Sequence, residues 1–218
     1  MTSIRRIGIL GGSFDPIHAG HLSVAQQVAD RLKLDEVILV PAGDPPHKRH
    51  KKLAPAADRL AMARLAVHGL ARLAVSDVEL RRAGPSYSLD TVRALKAELG
   101  AGHEYFFIVG ADTVGELPDW HRAAEFVAET GFAVAIRPRF EPDFARVEKL
   151  LGPAAAEKLR AGLVELEPCD ISSTLVRKRI AAGEDVTGLV RKDVAEYIAR
   201  KRLYRQSTAD ETEGQART

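Results

Sequence analysis

Short apolar runs alternate with amphipathic stretches along most of this 218-residue chain. The runs RIGILGG (6–12), EVILVPAG (36–43) and EYFFIVGAD (104–112) are apolar at consecutive positions and end near glycine or proline. Such runs are typical of strands that are buried on both faces. Because the stretches between them have helical spacing, the pattern predicts an α/β fold, a doubly wound parallel sheet with helices on both faces.

The remaining segments extend this pattern. Helices are predicted at 21–34, 56–70 and 88–99, and further strands at 73–80 and 131–138. The last third of the sequence is predicted to be mostly helical, with Gly183 and Gly188 between its helices. We therefore expect a single Rossmann-like domain at 1–205 with a small helical C-terminal part, followed by a polar, disordered tail at 206–218.

Composition narrows the classes of partner. Lys and Arg number 32 against 30 Asp and Glu, and this net charge of +2 argues against a general nucleic-acid-binding role. The single cysteine, Cys169, excludes an intrachain disulfide and is typical of a reducing compartment. The sequence shows neither a signal-peptide pattern nor an apolar stretch of about 20 residues that could cross a bilayer. We expect a cytoplasmic protein with no nucleic-acid or membrane partner, and the sequence leaves a homo-oligomer open.

The stretch GILGGSFDPIHAGH (8–21) carries the first functional signal. Ligands of open parallel sheets bind beyond the carboxyl ends of the strands, so Gly11 and Gly12 stand where a ligand approaches. Glycine allows close backbone approach, a helix N-terminus attracts anions, and His18 and His21 share one face of that helix start. The stretch therefore predicts a phosphate cradle, with a tight turn and capping histidines as the alternative. Its glycine spacing fits neither a Walker loop nor a dinucleotide fingerprint.

Two motifs carry a family resemblance. GGSFDPIHAGH (11–21) resembles the N-terminal signature of nucleotidyltransferases with a His-x-Gly-His motif, and ISSTLVR (171–177) resembles their C-terminal Ile-Ser-Ser-Thr-x-x-Arg motif. Three further segments are similar to the bacterial nicotinate-nucleotide adenylyltransferase family: PPHK (45–48), PSYSLDT (85–91) and GADTVGELPDW (110–120). The resemblance extends from Ile7 to about Tyr204.

This resemblance implies adenylyl transfer from ATP to nicotinate mononucleotide, which gives deamido-NAD and pyrophosphate, a step of NAD biosynthesis. The attacking 5′-phosphate is already ionised, so the protein aligns two anions and stabilises charge on the leaving group. Mg²⁺ is expected to arrive bound to ATP, and no metal-ligating residue is assigned. The alternatives are nicotinamide mononucleotide or phosphopantetheine as acceptor, or a non-catalytic nucleotide sensor on the same scaffold.

The resemblance also implies the residues around ATP. Catalytic roles fall to His18, His21, Arg177 and Lys48. The implied ATP-binding residues are Gly11, Gly12, Ser13, Phe14, His18, His21, Gly110, Asp112, Ile171, Ser172, Ser173, Thr174 and Arg177. For the serines alone, helix capping and phosphate binding remain equal alternatives, and Arg177 favours phosphate because a guanidinium matches phosphate oxygens. Asp112 accepts from nucleotide hydroxyls or caps the next helix, while Asp15 is expected to shape the turn with Pro16.

The implied residues for nicotinate mononucleotide are Lys48, Tyr87, Ser88, Trp120 and His121. The Trp120 indole attracts and stacks on the pyridinium ring, with a purely structural aromatic as the alternative. The resemblance also implies that backbone N–H groups near Ser88 and His121 donate to the nicotinate carboxylate, which disfavours the amide. His121 stands where this family often has an aromatic residue.

A zinc site is a rival interpretation of the histidines. His18, His21, His47 and His50 form two His-x-x-His pairs. Structural zinc sites built from histidine alone are uncommon, and no cysteine accompanies these pairs, so the nucleotide interpretation is favoured.

Overall fold

The computed structural model describes residues 3–45, 53–136 and 140–205. Its strands are β1 (Arg6–Gly12), β2 (Glu36–Pro41), β3 (Leu73–Val75), β4 (Glu104–Gly110), β5 (Gly131–Ile136) and β6 (Leu163–Glu165). All pair in parallel, in the order β3-β2-β1-β4-β5-β6. The winding direction changes between β1 and β4, and ligands of such sheets bind at this switch point. The Rossmann-like parallel sheet predicted from the sequence is confirmed.

Helices cover both faces of the sheet. They are α1 (Ala19–Arg31), α2 (Ala56–Val67), α3 (Val78–Arg81), α4 (Ser88–Leu99), α5 (Ala123–Glu129), α6 (Phe144–Leu151), α7 (Pro153–Ala161), α8 (Ser173–Ala181) and α9 (Lys192–Lys201), with a 3₁₀ helix at Ala111–Asp119. One core contains buried side chains of α1, α2, α8 and α9, such as Met62 and Val194. The other contains those of α3 to α7, such as Phe126. Burial on both faces explains why the strands are apolar at consecutive positions.

Three predicted elements end earlier than expected. The strand predicted at 73–80 is wrong beyond Val75, because the Ser76 hydroxyl accepts the Val78 N–H at 3.2 Å and α3 begins there. Helix α1 stops at Arg31, before Lys33 adopts a φ of 51°. Helix α2 stops at Val67, two residues before Gly69 adopts a φ of 73°. Left-handed backbone ends a right-handed helix.

The structure also contains elements that the sequence pattern did not predict. Between residues 144 and 165 it forms α6, α7 and the edge strand β6. No helix in the described part of the chain is long and apolar enough to cross a membrane. The tail predicted at 206–218 lies outside the described residues, and the single-domain boundary at 205 stays a prediction.

Candidate active site

The loop after β1 carries a strained residue. Phe14 is 1% exposed and has a φ of 45°, a conformation that costs a non-glycine residue about 1–3 kcal/mol. Its ring packs against Gly12 so closely that a Cβ there would lie 3.1 Å from ring carbons. The loop from Gly12 through Ser13 is thereby fixed at the carboxyl end of the central strand.

The two histidines of the first motif lie together at the start of α1. His18 is the residue that precedes the helix and is 7% exposed. The ring centroids of His18 and His21 are 3.7 Å apart. The backbone N–H of His18 donates to Nδ1 of His21 at 3.3 Å. The Phe14 ring meets His21 edge-on at 5.0 Å. The shared face expected from the i, i+3 spacing is confirmed.

Gly20, between the two histidines, is a site residue that the sequence analysis did not single out. A Cβ at Gly20 would lie 3.0 Å from Nδ1 of His18 and 3.1 Å from the carbonyl oxygen of Ile171. Only a residue without a side chain lets α1, the His18 ring and the loop before α8 approach this closely.

The second motif packs directly onto the first. Arg177 Nη1 donates to the Asp15 carbonyl at 2.7 Å, and its Nη2 donates to Thr174 Oγ1 at 3.3 Å. The Ser173 hydroxyl donates to the Pro16 carbonyl at 3.0 Å. These hydrogen bonds bring segments about 160 residues apart in sequence into direct contact.

Ser172 has the capping geometry that the sequence analysis left open. It precedes α8, and its hydroxyl accepts the N–H of Leu175 at 3.1 Å. Capping by Ser172 is therefore confirmed. Its role toward phosphate stays a prediction.

A cavity of about 570 Å³ opens beyond the carboxyl ends of β1 and β4. Five of the predicted site residues at or beyond the ends of these strands line it: Gly11, Gly12, Ser13, Gly110 and Trp120. Tyr87, Ser88 and His121 line it from the start of α4 and from the segment after the 3₁₀ helix. The structure thus brings four of the five residues predicted for the mononucleotide to one cavity: Tyr87, Ser88, Trp120 and His121.

Aromatic rings form the walls of this cavity. The Tyr87 and His121 rings stack with centroids 4.1 Å apart and planes at 20°. Trp120 stacks on Phe126 at 5.8 Å and meets Phe107 edge-on at 6.2 Å. His121 therefore supplies the flat ring that an aromatic residue would provide. Trp120 is both packed against the core and exposed to the cavity.

A second cavity of about 450 Å³ adjoins the first and shares its lining at the ends of β1 and β4. It is lined by His21, Gly110, Asp112 and also Phe140, which the sequence analysis did not predict. A Cβ on Gly110 would fall 2.2 Å from Oδ1 of Asp112. Gly110 is the capping position of this 3₁₀ helix, and Asp112 lies in its first turn. The role of Asp112 toward the nucleotide stays a prediction.

The comparisons with known proteins agree with this geometry. The cytidylyltransferase-like family model matches residues 9–179. The probable nicotinate-nucleotide adenylyltransferase of Chromobacterium violaceum is 42% identical, over 92% of this chain and 99% of its own length. That of Dehalococcoides mccartyi is 41% identical, over 94% of this chain and 98% of its own length. The chain belongs to the nicotinate-nucleotide adenylyltransferase family.

Solved structures share the fold of this chain. The Plasmodium falciparum nicotinic acid mononucleotide adenylyltransferase complexed with NaAD matches with a TM-score of 0.72 and 21% identity, over 92% of this chain and 97% of the other. Its complex with APC matches with a TM-score of 0.69 and 20% identity, over the same shares. At these identities the likeness establishes the fold.

Three of the predicted residues fall outside the described part of the chain. Lys48 lies outside the described residues, as do His47 and His50 of the zinc alternative. Within residues 3–45, 53–136 and 140–205, no group of three or more His, Cys, Asp or Glu side chains is arranged to hold a metal ion.

Arg59 is a further residue near the site that was missed. It is 2% exposed, and its guanidinium donates to the carbonyls of Ser13 at 2.8 Å and Ala54 at 3.0 Å. Burial lowers the pKa of Arg59, and the nearby Asp15 carboxylate opposes that shift. The signal was present in the sequence, because Arg59 shares the i, i+3, i+4, i+7 spacing of the buried face of α2.

Proposed function

We propose that this chain transfers the adenylyl group of ATP to nicotinate mononucleotide. A 5′-phosphate oxygen of the mononucleotide forms a bond to the α-phosphorus as the bond to the pyrophosphate oxygen breaks. The attacking oxygen is already ionised, so no proton has to be removed. Catalysis then depends on alignment of the two anions and on stabilising the charge of the departing pyrophosphate.

His18 and His21 are proposed to bind and stabilise the triphosphate. They stand at the N-terminus of α1, a 13-residue helix whose first N–H groups and dipole favour negative charge. Their close packing and the fixed loop from Gly12 to Phe14 set their positions before ATP arrives. Preorganised donors stabilise developing charge without the energetic cost of reorganisation.

Arg177 is proposed to hold the β- and γ-phosphates from the opposite side. A guanidinium has five N–H donors, and the Asp15 carbonyl and the Thr174 hydroxyl engage its two Nη atoms. The side chain is 37% exposed, which leaves part of its donor fork available to an anion. Thr174 and the serines before it complete this side of the proposed ATP site.

The aromatic cavity is proposed to bind nicotinate mononucleotide. Trp120 offers an indole face for the pyridinium ring. Ser88 is the first residue of the 12-residue helix α4, so its N–H has no partner within the helix and can donate to the carboxylate. If the substrate carried an amide instead of the carboxylate, the amide N–H groups would face the N–H of Ser88, donor against donor. This unfavourable contact supports a preference for the acid.

Magnesium is proposed to enter as part of the ATP substrate. Mg²⁺ usually keeps several waters and is held largely through substrate phosphates, so the proposal requires no protein cage. For Lys48 we retain the prediction of a phosphate contact to the mononucleotide.

A cytoplasmic setting is also part of the proposal. Cys169 is the only cysteine in the sequence, which suits a reducing compartment.

The observation that carries this proposal is the meeting of the two motifs, with Arg177 donating to Asp15 at 2.7 Å beside the helix that begins after His18. The test supplies purified protein with ATP, Mg²⁺ and either the acid or the amide mononucleotide, and measures pyrophosphate and the dinucleotide product. We expect release with the acid and a lower kcat/KM with the amide. A higher kcat/KM with the amide would identify nicotinamide mononucleotide as the substrate instead. No pyrophosphate release with either mononucleotide would refute adenylyl transfer.

A further inference from the structure

A buried carboxylate beneath the proposed triphosphate site is held by the far end of the chain. Asp15 is 2% exposed, and its Oδ1 accepts the hydroxyl of Tyr204 at 2.7 Å and the N–H of Ala54 at 3.1 Å. Tyr204 follows α9 and adopts a left-handed φ of 62°, which a tyrosine rarely does. The two residues are 189 positions apart in sequence, so only the tertiary fold brings them into contact.

The turn that Tyr204 holds is also the turn that holds the second motif. The carbonyl of Asp15 accepts from Arg177, and the carbonyl of Pro16 accepts from Ser173. Tyr204 therefore contacts one side of the turn through the Asp15 carboxylate, while α8 contacts the other side through the backbone. A shift of this turn would move the Arg177 guanidinium.

We propose that Tyr204 is a positioning residue for the triphosphate half of the site, acting through Asp15 on Arg177. The proposal rests on the proposed function, because Arg177 matters here as a phosphate ligand. Neither the family resemblance nor the motif analysis gave Tyr204 a role.

The charges around Asp15 indicate what loss of the hydroxyl would do. Oδ2 of Asp15 lies 3.8 Å from Nη1 of Arg177, just beyond hydrogen-bond range. Without the hydroxyl, the Ala54 N–H is the remaining hydrogen-bond donor to Oδ1 among the described residues. A buried carboxylate that loses a donor attracts a nearby cation more strongly. We expect Arg177 to move from the Asp15 carbonyl onto the carboxylate, away from its phosphate-binding position.

The electrostatics of Tyr204 agree with this role. Burial, followed by the hydrogen bond to Asp15, raises the pKa of Tyr204. The phenol therefore remains a neutral donor at physiological pH and does not add a second negative charge beside Asp15.

The chain offers a matched control in Tyr197. Its hydroxyl donates to a carboxylate oxygen, Oδ1 of Asp58, also at 2.7 Å. Tyr197 lies within α9, and Asp58 lies in α2, where it also pairs with Lys201 at 3.6 Å. Tyr197→Phe thus removes the same chemical group from a tyrosine–carboxylate pair that does not involve the Asp15–Pro16 turn.

The experiment compares the wild type, Tyr204→Phe and Tyr197→Phe by KM for ATP, KM for nicotinate mononucleotide, kcat and melting temperature. For Tyr204→Phe we expect kcat/KM for ATP to fall about tenfold, with KM for the mononucleotide changed by less than about twofold. Tyr197→Phe should retain wild-type kinetics. Equal kinetics in the two variants, or equal effects on both substrates, would overturn the proposal.

A double variant tests the path through Arg177. Arg177→Lys and Arg177→Lys/Tyr204→Phe should have the same kcat/KM for ATP, because the second substitution acts through a guanidinium already lost. Additive losses would overturn the proposal. Should Tyr204→Phe not fold, Tyr204→Met replaces it, because methionine fills irregular gaps and has no hydrogen-bond donor. An unchanged KM for ATP in that variant would then refute the role. An inactive wild type refutes the proposed function instead, so the two failures are distinguishable.

Discussion

A methyl group on Gly20 would lie 3.0 Å from Nδ1 of His18, closer than nine in ten real contacts of a Cβ atom. The same methyl group would lie 3.1 Å from the carbonyl oxygen of Ile171, which begins the second motif. At Gly20, the glycine of His-x-Gly-His, the first helix therefore packs against both the buried His18 imidazole and the backbone of the second motif.

Gly20→Ala should lower activity more than stability. Alanine in place of glycine within a helix favours folding by about 1 kcal/mol, which offsets part of the steric cost. The His18 ring must then shift by a few tenths of an ångström, and misplaced catalytic groups strongly reduce rate. We expect kcat/KM for ATP to fall about tenfold, with little change in melting temperature.

Gly102→Ala is the control for this substitution. A Cβ at Gly102 meets no atom within 4 Å, so this variant should retain wild-type kinetics. Equal activity in Gly20→Ala and Gly102→Ala would contradict the steric argument.

His18→Ala should lower turnover by about tenfold or more, which corresponds to about 1.4 kcal/mol of lost transition-state stabilisation. The reason is the loss of a preorganised donor at the start of α1, where the two imidazoles pack together. Steady-state kinetics and a thermal melt would check it. The exposed His68 at the end of α2 is the matched control, and wild-type turnover in His18→Ala would refute the role.

The sequence predicted the parts of this molecule that depend on local pattern. Continuous apolar runs identified β1, β2 and β4, and their glycine and proline ends located the cavity. The segment at 73–80 was misjudged because its apolar spacing suits a strand, whereas the Ser76 hydroxyl ends β3 by accepting a backbone N–H. That competition between side chain and backbone is not visible in hydrophobic spacing.

Long-range contacts were beyond the reach of local pattern. The family resemblance placed Arg177 in the site, but nothing in the sequence indicated that it donates to the carbonyl of Asp15. Likewise, nothing in the sequence indicated that the hydroxyl of Tyr204 donates to the carboxylate of Asp15, 189 positions earlier. Such contacts depend on the topology of the fold. Hydrophobic periodicity describes each segment by itself and does not indicate which distant segments come together.

Two substitutions of Ser172 should separate its two roles. Ser172→Ala removes the cap of α8 and should lower the free energy of unfolding by about 1 kcal/mol. Ser172→Gly should lower it by only a few tenths of a kcal/mol, because glycine is tolerated at a capping position. Both remove the hydroxyl. If that hydroxyl also binds phosphate, KM for ATP should rise equally in both variants, while only Ser172→Ala loses stability in chemical denaturation. An unchanged KM in both would leave Ser172 with the cap alone.

Ionisation of Tyr197 should lower the stability of the protein at alkaline pH. Burial, with the hydrogen bond to Asp58, raises the pKa of Tyr197 to about 12, whereas an unfolded tyrosine titrates near about 10. Above about pH 10 the unfolded state therefore binds fewer protons than the folded state, and the free energy of unfolding falls as pH rises. The stabilisation is complete below about pH 10 and is lost toward about pH 12.

Urea unfolding of the wild type and Tyr197→Phe at several pH values checks this expectation. The wild type should be more stable below about pH 10, and the difference should shrink above it. Tyr204 titrates in both proteins and cancels from the comparison. A difference that stays constant through about pH 11 would contradict the shift in pKa.

Trp120→Ala should mainly weaken the binding of nicotinate mononucleotide. Stacking of an indole on a pyridinium ring contributes about 0.5–2 kcal/mol, so affinity should fall between about twofold and about thirtyfold. Trp120 also packs against Phe126, so some loss of stability is expected, and affinity for ATP serves as the internal test that the site survives.

Trp120→Phe keeps an aromatic face with a weaker attraction for a cation, so its affinity for the mononucleotide should lie between those of the wild type and Trp120→Ala. Because Trp120 is the only tryptophan, quenching of its fluorescence by the mononucleotide measures binding directly in the wild type, and calorimetry measures it in the variants. Unchanged mononucleotide affinity in Trp120→Ala would assign the indole to packing alone, whereas equal losses for both ligands would indicate a general collapse of the cavity.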